Sequence, residues 1–208
     1  MIKTDNYGIV FNKLKSNILD DWKHYTEHEF VKSIGNANLD KKLYIKYLKQ
    51  DYIFLIHFSR AWALLVAKSN SVDEMRIASA TLDALVNEEI QLHIKTCKAE
   101  GISEEQLFNA EEESNNLAYT RFVLETGYSG DFLDLLVALS PCVFGYGEIG
   151  LYLKSISKNN NPYISWIDTY YSKEYQEVCT NIGNLLDKAI QDRLGKDFAN
   201  NNIWPKLE

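Results

Sequence analysis

Proline is scarce in this chain, with three residues, at 141, 162 and 205, in a length of 208. Proline lacks a backbone donor and clashes with the turn before it, so long stretches here run without the strongest helix breaker. Cysteine is equally scarce: Cys97, Cys142 and Cys179 are the only ones. An odd count, wide spacing and no C-x-x-C argue against a disulfide framework or a thiolate zinc site. A reducing, cytoplasmic setting is the expectation. Clustered positive charge is missing too. The net charge is −7 and the pI near 5.2. The densest basic stretch, Lys41 and Lys42 with Lys46 and Lys49, alternates with apolar residues as a solvated helix face does. A phosphate-backbone binder needs a basic face, so nucleic acid and anionic membranes are poor partners. No uninterrupted apolar run approaches the roughly 18–20 residues of a membrane span. The opening MIKTDNYGIVFNKLKSN lacks the core and cleavage site of a signal peptide.

What is present is a globular composition, 46% apolar and 25% charged, long enough for one sizeable core. No internal repeat and no low-complexity linker interrupts it. Apolar residues recur with helical period, which predicts helices near 7–26, 40–68, 72–99, 103–127, 130–157, 162–171 and 174–195. Short polar or glycine-containing breaks separate them, as in helix bundles. Ser103 with Gln106 has the pattern of a capping box. The expectation is one all-α domain, a single helical bundle over residues 1–208. The last residues, 202–208, look like the opening of a further helix: the expectation is either that its remainder lies beyond the chain given or that the tail is short and frayed.

Candidate chemistry centres on Cys142, in LLVALSPCVFGYGEIG. A thiol is the best latent nucleophile among side chains when its thiolate is stabilised, though a lone cysteine among Leu and Val is often inert filler. Pro141 beside it predicts a kink that releases the carbonyl of Val137. Gly145, Gly147 and Gly150 spell G-x-G-x-x-G, with Asp168 downstream, as in a dinucleotide fingerprint. That motif needs a preceding strand, where Pro141 does not fit. The competing reading is that small residues let helices approach closely. Asp51, in QDYIFLIHF, is costly inside an apolar stripe unless paired. Glu89 and His93 share a helix face, and Asp51 and His57 lie on the apolar helix 40–68. Carboxylates and histidines on neighbouring helices, Glu148 included, could hold two irons, but the usual repeated Glu-x-x-His is absent. The alternative for Glu89 and His93 is a buried pair supporting a pocket. Tyrosines 119, 146 and 170 lie in or beside apolar helical segments. An acid, a thiol and aromatic rings suit a planar heterocycle.

These pieces resemble the TenA, or thiaminase II, family, in its cysteine-containing branch. The resemblance covers HEFVKSIGNANLD, YIKYLKQDYIFLIHFSRA, EEIQLH, LLVALSPCVFGYGEIG and YISWIDTYYSKEY, nearly the whole chain. It implies a heme-oxygenase-like helical bundle, usually a homotetramer, with no metal and no cofactor. It implies aminopyrimidine hydrolysis in thiamin salvage: 4-amino-5-aminomethyl-2-methylpyrimidine, or thiamin itself, gives the hydroxymethylpyrimidine. By position, Cys142 matches the nucleophile and Asp51 the acid that contacts the ring amino group. Tyr119, Tyr146 and Tyr170 match pocket tyrosines. Phe54 matches a residue that stacks on the ring, often a tyrosine. Glu89 and His93 match a supporting pair behind the site. The family's general-acid glutamate aligns beyond Glu208. The functional alternatives are a non-catalytic or regulatory pyrimidine-binding bundle and a metal- or quinone-dependent bundle oxygenase.

Overall fold

The structure is a computed structural model that describes residues 7–158 and 160–195. Among these residues every regular element is a helix. In chain order they are α1 (Ile9–Asn17), α2 (Leu19–Thr26), α3 (Glu29–Gly35), α4 (Lys41–Lys68) and α5 (Val72–Ala84). A π turn (Leu85–Glu89) joins α5 to α6 (Ile90–Ala99). Then come α7 (Glu104–Phe108), α8 (Ser114–Ser129), α9 (Phe132–Ile156), α10 (Ile164–Tyr171) and α11 (Lys173–Leu194). The helix start expected at 202–208 lies outside the described residues.

By internal packing the chain forms two compact units, one of residues up to Leu39 and from Ser140 on, the other Asp40–Leu139. In the second unit α4 packs against α5, α6, α7 and α8. Asp40 starts α4 by accepting the Lys42 amide at 2.7 Å, which satisfies an end donor. Tyr44, Leu48, Asp51, Leu55, Phe58, Trp62 and Leu65 are buried along α4, alternately four and three residues apart. That spacing is one continuous helix face, and Asp51 occupies a core position in it. In the first unit α11 packs against α1 and α10. Asp187 on α11 accepts the backbone amides of Ile9 and Val10, each at 2.8 Å, and so caps α1 from a distance.

Helix α9 contributes to both units, the division falling after Leu139. It continues through Pro141 without interruption. Among the described residues it is the one helix long and apolar enough to cross a membrane, and 67% of its most apolar stretch is buried inside the protein. The core helix of a folded bundle has that character.

Several boundaries differ from the periodicity. The segment 7–26 is two helices, divided at Ile18, after Ser16 turns its hydroxyl onto the Lys13 carbonyl at 2.7 Å. Such local bonds compete with the helical ladder. Helix α3 was not expected, and its cap is His28, whose Nδ1 accepts the Phe30 amide at 3.2 Å. Histidine is not among the usual capping residues, so the start signal is missing from the sequence. The span 103–127 is two helices because Gln50, reaching from α4, holds the intervening loop. Its Nε2 donates to the Glu111 carbonyl at 2.8 Å and its Oε1 accepts the Glu113 amide at 2.9 Å.

Candidate active-site residues

In the second unit, five of the expected residues lie on α4, α6, α8 and the π turn. Asp51 is 8% exposed. Its Oδ2 lies 3.4 Å from His93 Nδ1 and accepts the Tyr47 hydroxyl at 3.3 Å. His93 Nε2 in turn sits 2.6 Å from the Leu48 carbonyl. Burial pushes the Asp51 carboxyl above the usual range, while His93 and the Tyr47 hydroxyl pull it down. Tyr47 was not among the expected site residues, although its spacing from Asp51, one turn away on α4, was a signal for it. Glu89 ends the π turn, and burial, with the nearby Asp51 charge, raises its pKa from 4.5 to about 7. Among the described residues its carboxylate makes no hydrogen bond, so the expected direct Glu89–His93 pair is replaced by His93–Asp51. A π turn inserts one residue into the helical phase. Sequence periodicity does not reveal where such an insertion falls.

Phe54 has two rings near it in stacked orientation, Phe58 at 5.0 Å and 29° and Tyr119 at 6.0 Å and 16°. Tyr119 donates its hydroxyl to the Ala138 carbonyl at 3.1 Å, which ties α8 to the turn of α9 that leads into Pro141. His57 does not join Asp51. Arg60 and Arg121 direct guanidinium groups at its ring, and Glu112 lies 3.6 Å away. Guanidinium groups only donate, and a neutral imidazole has a single acceptor nitrogen, so one ring nitrogen accepts from them while the other carries the hydrogen. Burial and Arg121 lower the His57 pKa to match.

In the first unit, Cys142 is half-buried, whereas Cys97 and Cys179 are fully buried. Burial pushes the Cys97 thiol up to about 11 and the Cys179 thiol up to about 12, which makes both poor thiolates at neutral pH. Cys142 precedes Tyr146 by one turn of α9, on the same face. Tyr146 and Trp166 both pack on Tyr170, each at 4.7 Å, and Tyr170 meets Tyr175 edge-on at 5.0 Å. Trp166 and Tyr175 were missed, although Trp166 shares a face of α10 with Tyr170. Side chains of α11 hold this part of α9. Tyr175 donates to the Val143 carbonyl at 3.3 Å, and Gln176 Nε2 donates to Gly147 O at 3.1 Å and Tyr170 O at 2.9 Å. Glu148 is taken by Lys15 at 2.5 Å and Trp22 Nε1 at 2.8 Å.

The three glycines of G-x-G-x-x-G lie within α9, not in a strand-to-helix turn. A Cβ at Gly145 would strike the Tyr25 ring, and one at Gly150 would strike the Tyr170 backbone. At Gly147 it would come within 2.7 Å of both Cys179 Sγ and the Tyr7 hydroxyl. The motif is a close-packing seam, and Asp168 is bonded to Lys154 at 2.6 Å.

These residues define an all-helical protein that carries a half-buried thiol, a buried carboxyl–imidazole pair and grouped aromatic rings. Residues 16–200 match the model of the TENA/THI-4/PQQC family, and the chain belongs to that family. An aminopyrimidine aminohydrolase of Halalkalibacterium halodurans is 36% identical over 180 residues, covering 86% of this chain and 80% of that protein. An uncharacterized protein of Haemophilus influenzae is 42% identical over 167 residues, or 79% and 77% of the two chains. Among solved structures, a TenA family transcription regulator from Silicibacter sp. TM1040 superimposes with a TM-score of 0.95 at 50% identity, covering 98% of this chain and 90% of that one. A TenA homologue from P. horikoshii OT3 gives a TM-score of 0.84 at 26% identity, covering 96% and 91%. The fold is accordingly the all-helical, heme-oxygenase-like TenA fold.

Proposed function

We propose that this protein is an aminopyrimidine aminohydrolase of thiamin salvage with Cys142 as its nucleophile. The match with the Halalkalibacterium halodurans aminohydrolase, over 86% of this chain, carries the reading. A second observation supports the choice of thiol: Cys142 is the one cysteine of the three that is not fully buried. In the reaction, the thiolate adds to an electron-poor ring carbon while a ring nitrogen takes a proton. The exocyclic amine then leaves as ammonia. Water adds to the exposed exocyclic carbon, and expulsion of the thiolate restores the ring. One substitution is thereby split into easier steps. Asp51 accepts a hydrogen bond from the ring amino group. Phe54 stacks on the ring, Tyr119, Tyr146 and Tyr170 orient it, and Glu89 and His93 support Asp51. The same reading carries a cytoplasmic homotetramer without cofactor, and light scattering coupled to size exclusion checks the assembly.

The test is ammonia and hydroxymethylpyrimidine release from the aminomethylpyrimidine, with thiamin in parallel. Cys142→Ser should lower the rate by several orders of magnitude while leaving ligand affinity and melting temperature close to wild type. A variant that keeps more than about a tenth of the wild-type rate removes Cys142 from the nucleophile role. The relative from Silicibacter bears the name transcription regulator, which favours a second reading: a pyrimidine-binding protein without turnover. Tight binding of the hydroxymethylpyrimidine with no product from either substrate would select it. At a net charge of −7, such a regulator would act other than by gripping DNA itself.

A further inference from the structure

Gln176, half-buried near the start of α11, has both ends of its side-chain amide engaged. Its Nε2 lies 3.1 Å from the Gly147 carbonyl oxygen and 2.9 Å from that of Tyr170. Carbonyl oxygens only accept, so both hydrogens of that nitrogen are used. The other end, Oε1, can only accept, and the donor it meets is the Tyr7 hydroxyl. Turning the amide over would set Oε1 against two carbonyl oxygens and lose both of those bonds. Tyr7 is itself fixed: it is 2% exposed, and its ring stacks on Phe144 at 5.6 Å and 19°. Burial holds its hydroxyl in the protonated, donating form. The two carbonyls belong to different elements. Gly147 follows Tyr146 on α9, and Tyr170 stands near the end of α10, where carbonyls have no partner within the helix. The two backbones come close at Gly150, where a Cβ would lie 2.4 Å from the Tyr170 carbonyl carbon.

We propose that Gln176 is a positioning residue for Tyr146 and Tyr170: one amide nitrogen ties the backbone beside Tyr146 to the backbone of Tyr170 and so sets the angle at which the two rings meet a pyrimidine. This rests on the proposed pyrimidine-binding role of those two tyrosines. Their rings lie 4.7 Å apart, tilted by 58°. Close contact at a glycine brings two helices together, but apolar packing has no direction and leaves them free to slide or rotate. Hydrogen bonds from a single nitrogen to both backbones are directional, and they fix the register. Tyr175, one residue before Gln176, repeats the arrangement. Its hydroxyl donates to the Val143 carbonyl of α9 at 3.3 Å, while its ring meets Tyr170 edge-on at 5.0 Å. Two neighbouring residues of α11 thus each join α9 to Tyr170. The polar atoms of Gln176 are taken within the fold, so it acts on a ligand through the tyrosines. Misplacing an orienting group by about 1 Å can cost about 10²-fold in rate.

The experiment has two arms on the full chain. The first is fluorine NMR of protein labelled with fluorotyrosine, without substrate, with signals assigned by Tyr146→Phe, Tyr170→Phe and Tyr128→Phe. Gln176→Met keeps the length of the side chain and removes its polar atoms. It should move the Tyr146 and Tyr170 signals and leave that of Tyr128, on α8, in place. Unmoved Tyr146 and Tyr170 signals overturn the brace. The second arm is kinetics with the aminomethylpyrimidine. In Gln176→Met kcat should fall roughly 10²-fold with KM little changed. Ser71→Ala is the control for lost stability, since the Ser71 hydroxyl caps α5 by accepting the Glu74 amide at 3.2 Å. Its kcat should stay near wild type, and a kcat in Gln176→Met no lower than in Ser71→Ala overturns the positioning role. In Gln176→Glu the carboxylic acid has one donor and the carboxylate none. Its kcat relative to wild type should rise as pH falls from about 8 to about 5, while the same ratio for Gln176→Met stays flat. A flat ratio for both overturns the role of the amide donor. If Gln176→Met does not fold, Gln176→Glu at the two ends of that pH range carries both arms. The NMR arm needs no substrate, so its failure counts against the brace alone. A wild-type protein inert toward aminopyrimidines counts against the proposed function alone, and the fluorine signals still decide the brace.

Discussion

Gly150 and Gly101 show how differently one residue type is used in this chain. At Gly150 a methyl group would run into the backbone of Tyr170 and Tyr171, which cannot swing aside as a side chain can. Gly150→Ala should cost about 2–3 kcal/mol, read as a lower melting temperature and a loosened α9–α10 contact. At Gly101 nothing lies within 4 Å of the added atom, but φ is +81°. There Gly101→Ala pays only backbone strain, about 1 kcal/mol. Glu89 gives a pH signature at the same scale. Its folded pKa, about 7, stands above its ordinary 4.5, so the folded state binds the proton more tightly. Stability from this group is therefore full below about pH 4.5 and is lost as pH rises through about 7. Glu89→Gln removes that loss. The variant should gain on wild type in melting temperature at about pH 8 and show no such gain at about pH 4. A constant difference across that range would mean the carboxyl titrates normally.

Among elements, the joints are held by side chains whose partners are sometimes local and sometimes distant. Ser172 ends α10 and begins α11, and its hydroxyl accepts the Tyr175 amide at 3.1 Å. Ser172→Ala should cost about 1 kcal/mol, measured by denaturant unfolding. Such a cap is legible in sequence, as is the capping box at Ser103 and Gln106, which forms as expected. The loop after α7 is another matter, because its backbone is satisfied by Gln50 from α4. Gln50→Ala should speed amide exchange at Glu113 and cost about 1 kcal/mol. A periodicity argument sees neither that contact nor the π turn, since both depend on what lies across from the segment. The histidine cap of α3 escaped for a related reason: its residue type carries no general preference for that place.

At the scale of the molecule, α9 is the element both units share. Leu135, Leu136 and Leu139 on one side of the division, and Phe144, Ile149 and Leu153 on the other, are almost wholly buried. A continuous helix that supplies core to both should make them unfold together. Circular dichroism and tryptophan fluorescence should give one midpoint in urea, and two midpoints would show that each unit melts by itself. Helical period, scarce proline and the apolar stripe of α4 determined the all-α class without any structure, because burying one face of a helix needs nothing but the order of residues along it. The thiol, the acid and the aromatic rings were likewise legible as residue types at helical spacing. Which partner each would take was not. Asp51 and His57 stand six residues apart on one helix and do not share a face. That the partner of Asp51 is His93, whose ring also meets the Leu48 carbonyl, was decided by the packing of α6 on α4. G-x-G-x-x-G became a packing seam for the same kind of reason: Tyr25, Tyr7 and the Tyr170 backbone occupy the space that side chains would need. Sequence spacing fixes which residues share a face, but a hydrogen bond or a contact between distant segments exists only once the tertiary structure brings both partners to one place.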